Sequence, residues 1–331
     1  MSEVEVGAFL PTFVYDEGRT GQEIAAFAAS AEEIGLASLW ATDHLLHGSL
    51  FYAVPWLEPL AALTYAAAVT ETVDLGTSVL VMPTRPPVLL AKQISTLQAL
   101  SGDRFILGAG TGWDEREFTV AGTEKRFRGV ETDEGIDIVA GLLTGDPLDY
   151  VGRRTRLEGV SIAPAMTTPL RLWVGGGRQV AHANSPERPE MPKRVLERIG
   201  RADGWIARPT STPDQIGLDL GDIAAHFEDI GRDITDLTLA HENFIHLVDT
   251  DDPDEARAEQ KLAFTKIMGD GRPFEYFDQV YLTGTTNEII EKIQLRASAG
   301  IRYFIFHTLE PSLHQLDRWA ETLLPYIRGL H

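Results

Sequence analysis

The sequence predicts an α/β protein, a TIM-type (β/α)8 barrel with insertions after its fourth, fifth and seventh strands. Three observations predict it: eight apolar runs that read as buried parallel strands, helical patterns between them, and glycines that close a helix directly ahead of a strand. With 331 residues, 44% of them hydrophobic, the chain can bury a large core, and one barrel domain over residues 1–331 uses most of that length.

The apolar runs fall near Val4 to Phe9, Leu36 to Ala41, Val73 to Leu80, Arg104 to Ala109, Leu170 to Val174, Asp203 to Ala207, Leu237 to Val248 and Ile301 to Phe306. Between them, Ile24, Phe27, Ala28, Ala31 and Ile34 follow the i, i+3, i+4, i+7 rule, as do Ile136, Val139, Ala140 and Leu143, and Ile289, Ile293 and Ala297 make another apolar face. Thr20 with Glu23, Thr212 with Gln215, Thr285 with Glu288 and Ser312 with Gln315 all fit the capping box, so each predicts a helix start. Gly35 before Leu36 and Gly300 before Ile301 predict left-handed helix stops.

Strand spacing is close to one βα unit except after the fourth and seventh strands, where about twice the usual length intervenes. The first gap holds a helix and then Asp149 to Ser161, which alternates like a short hairpin outside the barrel. The second, Asp249 to Leu282, carries an acidic helix start, another helix and a Gly269-Asp270-Gly271-Arg272-Pro273 break. His182 to Pro192, with its three prolines, predicts a loop at the rim after the fifth strand.

Charge and composition narrow the function. The 29 Lys and Arg stand against 49 Asp and Glu, a formal charge of −20, which argues against nucleic acid or an anionic membrane as partner. The expected partner is a small organic molecule. No cysteine occurs, so disulfides, thiolate nucleophiles and Cys-ligated metals are excluded together. The acidic start Met1-Ser2-Glu3-Val4-Glu5-Val6 lacks the basic character of a secretory signal, and the expected location is the cytoplasm.

A parallel barrel presents its chemistry at the C-terminal ends of its strands, so the polar residues there are the site candidates. Asp43 and His44 end the second strand; the imidazole could move a proton near neutral pH and the carboxylate could orient it, against the bland alternative of a capped turn. Gly175-Gly176-Gly177-Arg178 follows the fifth strand, where backbone amides and a guanidinium could cradle a phosphate, the alternative being a flexible turn. Phe51, Tyr52, Trp56, Trp113 and Phe118 fall in loops after strands two and four, where a wall for a planar ring would sit. Gly108 to Trp113 misses the dinucleotide fingerprint, and Ser78 lacks the second glycine of a nucleophile elbow. His44 and His47 have no third ligand, so no metal is expected.

Trp40-Ala41-Thr42-Asp43-His44, Leu75 to Leu80, Phe105 to Trp113 and Trp173-Val174-Gly175-Gly176-Gly177 together resemble the luciferase-like flavin-dependent oxidoreductases, and the likeness runs from Gly7 to the final strand and helix. Asp-His after strand two and Gly-Thr-Ser-Val after strand three look most like the branch that uses the deazaflavin coenzyme F420. That resemblance implies a cis peptide at Ser78-Val79 backing the central ring, Asp43 and His44 beside it, Thr111 and Gly112 near its edge, and Gly175, Gly176, Gly177 and Arg178 around the phosphate. Phe51, Trp56 and Trp113 would then line the substrate pocket.

The resemblance implies an F420-dependent hydride transfer to or from a small organic substrate, with His44 shuttling the proton. It also leaves an FMN-dependent monooxygenase supplied by a separate flavin reductase, and a non-catalytic flavin-binding barrel. Deazaflavin-dependent sugar-phosphate dehydrogenases carry a Glu directly after the Thr-Gly of strand four, where this chain has Trp113. Homo-oligomers are usual in the superfamily, so a homo-oligomer is the expected assembly.

Overall fold

Eight parallel strands close on themselves in the computed structural model, which describes residues 4–13, 21–48, 52–178, 190–310 and 312–330. In chain order the barrel strands are Glu5–Phe9, Ser38–Ala41, Asp74–Thr77 continued as Leu80–Val81, Phe105–Gly110, Arg171–Gly175, Gly204–Ala207, Thr238–Ile245 and Tyr303–Thr308. Each pairs with its sequence neighbours, the first with the eighth (Gly7 opposite Ile305), and Leu75 opposite Phe105 completes the ring between the third and fourth. All eight apolar runs of the sequence are therefore barrel strands.

The helices follow the expected grammar. Gly21–Glu33 buries Ile24, Phe27, Ala28 and Ala31, and Gly35 closes it at φ +78°. Both reciprocal capping boxes form in Pro213–Asp229, with Thr212 and Gln215, and in Thr286–Ser298, with Thr285 and Glu288. The box expected at Ser312 and Gln315 does not form. Gln315 is instead spent on Leu247, accepting from its N–H at 3.0 Å and donating to its carbonyl at 3.0 Å, and the Ser312 hydroxyl has no hydrogen-bond partner among the described residues. The pair at Thr20 and most of the loop from His182 to Pro192 lie outside the described residues.

Leu148–Val151 and Arg156–Val160 form the hairpin expected in the first insertion, an antiparallel pair apart from the barrel. The second insertion contains Pro253–Met268, whose N-terminal amides are capped by Asp252, and then Phe274–Val280, a short helix that the sequence pattern did not single out. Phe264 and Phe277 of these helices pack with Phe244 of the seventh strand and with Tyr281, so the insertion is anchored against one side of the barrel mouth.

Large rings fill the barrel interior, and glycines make room for them. Trp40 and Trp173 lie 5.0 Å apart, Trp173 and Tyr303 also 5.0 Å, and the Trp40 indole and the Tyr303 hydroxyl both donate to Ser38 Oγ at 2.5 Å. A side chain at Gly76 would place its first carbon 2.3 Å from the Trp40 ring, and one at Gly204 would lie 2.6 Å from Trp173. This is the close packing that tolerates no added volume. Gly76→Ala is therefore expected to destabilise the protein by about 1 to 3 kcal/mol, read as a lower urea midpoint at unchanged slope.

Candidate functional site

The site begins where the third strand breaks. Between Thr77 and Leu80 the Ser78-Val79 peptide is cis, as the resemblance implies. The Val79 side chain projects across the neighbouring strands, where a first side-chain carbon at Gly110 or Gly175 would come within 2.2 or 2.6 Å of it. Only glycine at the ends of strands four and five admits it. Asp43 secures the far side of the break by accepting the Val81 N–H at 2.9 Å, and Arg85 grips the same carboxylate through both its terminal nitrogens at 2.5 and 3.0 Å.

Around this break opens a cavity of about 500 Å³ at the C-terminal ends of the strands. Asp43, Ser78, Val79, Thr111, Gly112, Gly175 and Gly176 all line it, as do His44 and Trp113. These residues from the ends of strands two to five thus line one space, while Gly177 and Arg178 do not. Other residues named from sequence stand elsewhere. Trp56 is set behind the wall, its ring packed on Phe13, Tyr52, His44 and His307. Phe51 lies outside the described residues, and Phe118 is a buried packing residue of Glu115–Val120.

Arg178 differs from its expected role. Its guanidinium donates to Asp219 Oδ1 at 3.0 Å, to the Leu218 carbonyl at 2.9 Å and to Asp222, and neither it nor Gly177 lines the cavity. Two carboxylates on Pro213–Asp229 hold this side chain against that helix. Arg208, one residue beyond the sixth strand, does line the cavity, and its Nε and Nη2 are buried without a hydrogen-bond partner among the described residues, with the Asp219 carboxylate acting on it electrostatically. Its Nε would lie 3.3 Å from a side-chain carbon at Gly177, so it takes the place beside the glycine run that Arg178 was expected to fill. Arg272 of the second insertion also lines the cavity, over the Tyr276 ring.

Two titratable groups complete the lining. The His44 imidazole, 8% exposed, holds Nδ1 3.7 Å from Glu117 Oε1, and that carboxylate also accepts the Leu45 and Leu46 N–H groups at 2.8 and 3.2 Å. Glu242 of the seventh strand accepts a hydrogen bond from Ser78 Oγ at 2.7 Å, and burial pushes its carboxyl up to about 7 although the Ser78 bond pulls the other way. Nearby, burial drives His307 down to about 3, so that imidazole stays neutral. Sequence reasoning missed Glu242 and Arg208. The signals were present: His241-Glu242-Asn243 interrupts an apolar strand, and Arg208 ends one.

Among the described residues no cluster of three His, Cys, Asp or Glu is set to hold a metal, and no helix is long and apolar enough to cross a membrane. The cavity's combination of small backbone-rich turns, aromatic walls and a guanidinium suits a planar ligand with an anionic tail.

Comparison with known proteins agrees with this architecture. Residues 4–303 match the family described as luciferase-like monooxygenase, a family of enzymes. An uncharacterized Mycobacterium tuberculosis protein is 34% identical over 179 residues, which cover 54% of this chain and 57% of that one. The F420-dependent glucose-6-phosphate dehydrogenase of Amycolatopsis mediterranei is 26% identical over 347 residues, covering 93% of this chain and 95% of the relative. Among solved structures, an F420-dependent secondary alcohol dehydrogenase in complex with an F420-acetone adduct superposes with a TM-score of 0.81 over 99% of this chain and 100% of that one, at 17% identity, a likeness of fold.

The raised carboxyl of Glu242 has a consequence for stability. Between its ordinary value of 4.5 and about 7, the folded protein keeps a proton that the unfolded chain has lost, so stability declines as pH rises through that window. Glu242→Gln, which cannot ionise, is expected to gain on the parent across it, by on the order of 3 kcal/mol at pH 8. Urea unfolding of both proteins at pH 5 and pH 8 measures the difference.

Proposed function

Because this chain belongs to the luciferase-like monooxygenase family, we propose that it is an oxidoreductase that moves a hydride between coenzyme F420 and a small organic substrate. The observation that carries this reading is the Arg208 guanidinium beside the glycine run, two of whose nitrogens are buried without a hydrogen-bond partner among the described residues, at a cavity whose other walls are the Val79 bulge and aromatic rings. Support comes also from the F420-dependent relative aligned along 93% of the chain. When bound, F420 supplies a ring carbon that gives or accepts a hydride.

The protein's own contributions are binding, orientation and proton handling. Val79, fixed between Gly110 and Gly175, presents a rigid apolar knob on which a flat ring can rest. Arg208 offers buried donors to an anionic tail, next to the Gly176 and Gly177 backbone. Asp43, saturated by Arg85 and the Val81 amide, positions the bulge and has no role as a free base. His44 is the proton carrier on the second-strand wall, with the Glu117 carboxylate 3.7 Å from its Nδ1. Trp113, 37% exposed, covers part of the mouth where sugar-phosphate dehydrogenases are expected to carry an acid, so their substrate is not transferred to this chain.

Titration of the purified protein with F420 and with FMN tests the reading. The expected result is tighter binding of F420, weakened by about 1.5 to 3 kcal/mol in Arg208→Ala; preferential binding of FMN overturns it in favour of oxygen chemistry with a separate reductase. With any alcohol or carbonyl compound found to turn over, His44→Ala is expected to lose about 10²- to 10⁴-fold in rate while F420 affinity is kept. Stopped-flow absorbance of the coenzyme measures both.

A further inference from the structure

We propose that Glu242, oriented by Ser78, is the group that exchanges the proton at the oxygen of the substrate's reacting carbon. The inference rests on the hydride-transfer reading and adds to it the residue that meets the substrate.

Geometry singles out this carboxyl. Asp43 has both oxygens occupied by Arg85, and Glu117 is engaged by the Leu45 and Leu46 amides. Glu242 has one oxygen, Oε2, committed to Ser78 and the other, Oε1, without a hydrogen-bond partner among the described residues, while the residue lines the cavity. Ser78 belongs to the break in the third strand, so the same backbone feature that carries Val79 also aims this acid. Ring support and proton group are therefore built as one unit.

The surroundings leave the carboxyl's charge uncompensated. Tyr52 approaches from the loop after the second strand and Tyr281 from the second insertion; burial raises both phenols, so both are neutral at physiological pH. His307, from the eighth strand, stays neutral as well. Asp43 and His44 line the cavity from the second strand, Arg208 from the sixth, and Arg272 and Tyr276 from the insertion, and among the described residues no cation offsets the burial that holds Glu242 near neutrality. At neutral pH it is thus available in both protonation states.

The step balances. For an alcohol, the hydroxyl proton would pass to Glu242 Oε1 while the carbinol carbon would give up a hydride, two electrons with one proton, to bound F420, and the C–O bond would become C=O. In the reverse direction neutral Glu242 protonates the carbonyl oxygen as the hydride arrives. His44 would supply the one further proton that bound F420 would need on reduction beyond the hydride. The same uncompensated carboxyl disfavours a substrate with a carboxylate or phosphate next to its reacting carbon.

Binding without turnover provides the test. Cyclohexanone and cyclohexanol are titrated into the protein, with and without F420, between about pH 5.5 and 8.5 and followed by calorimetry. Ketone affinity is expected to fall about tenfold per pH unit above the midpoint near neutrality, and alcohol affinity to rise through the same midpoint. Glu242→Gln abolishes both dependences, and Ser78→Ala moves the midpoint upward, because a donor to the carboxylate is lost. Infrared difference spectra supply a ligand-free readout: a protonated-carboxyl band that titrates near neutral pH and is missing from Glu242→Gln. Absence of that band, pH-independent binding in the parent, or a dependence that survives Glu242→Gln overturns the proposal. Failure of F420 to bind while the band and the ketone dependence persist sinks the coenzyme reading and leaves the proton assignment standing.

Discussion

The break in the third strand is the constraint on which the site depends. Its hydrogen bonds reach out to several neighbouring strands: Ser78 N–H donates to the Ala41 carbonyl at 3.0 Å, Thr77 Oγ1 to the Gly108 carbonyl at 3.0 Å, and Ser78 Oγ to Glu242 at 2.7 Å. Asp43 receives the Val81 amide on the other side. A short segment whose polar groups are claimed from the second, fourth and seventh strands is held in one arrangement, because moving any part would leave buried donors or acceptors unpaired. Val79 is held where it is by that lattice and by the missing side chains at Gly110 and Gly175.

From this centre the cavity divides by chemistry. Towards the sixth strand and the glycine run it offers the guanidinium of Arg208; towards the seventh strand and the second insertion it offers Glu242 amid Tyr52, Phe277 and Tyr281. An anionic tail is attracted to the first end and an uncharged polar group tolerated at the second. The two ends are oriented by different supports, since the second insertion supplies Tyr276, Tyr281 and Arg272 while Arg208 follows directly on a barrel strand. Variation in the insertion can therefore alter substrate choice without disturbing the part of the site that suits a coenzyme.

Arg178 and Arg208 show how little of a side chain's role is written next to it. Both follow a strand, both stand near glycines, and a reading along the chain favours Arg178 because it ends the run Gly175-Gly176-Gly177. Asp219 and Asp222, about one helical turn apart on Pro213–Asp229, claim Arg178, and among the described residues two buried nitrogens of Arg208 have no hydrogen-bond partner. Ser312 is a similar case, where a capping pattern loses its Gln315 to the Leu247 backbone.

The eight strands, the helix stops at Gly35 and Gly300, the hairpin, and the residues at the ends of strands two to five that line the cavity, Gly177 and Arg178 excepted, were legible in the sequence. Burial periodicity, capping chemistry and the need for glycine act over a few residues and so leave a local trace. The direction of Arg178, the retreat of Trp56 behind the wall, and the meeting of Ser78 with Glu242 across 164 positions of sequence were decided only by the closed barrel. Closure sets strands distant in the chain side by side, and competition among the charges and rings brought together there determines which of them faces the cavity.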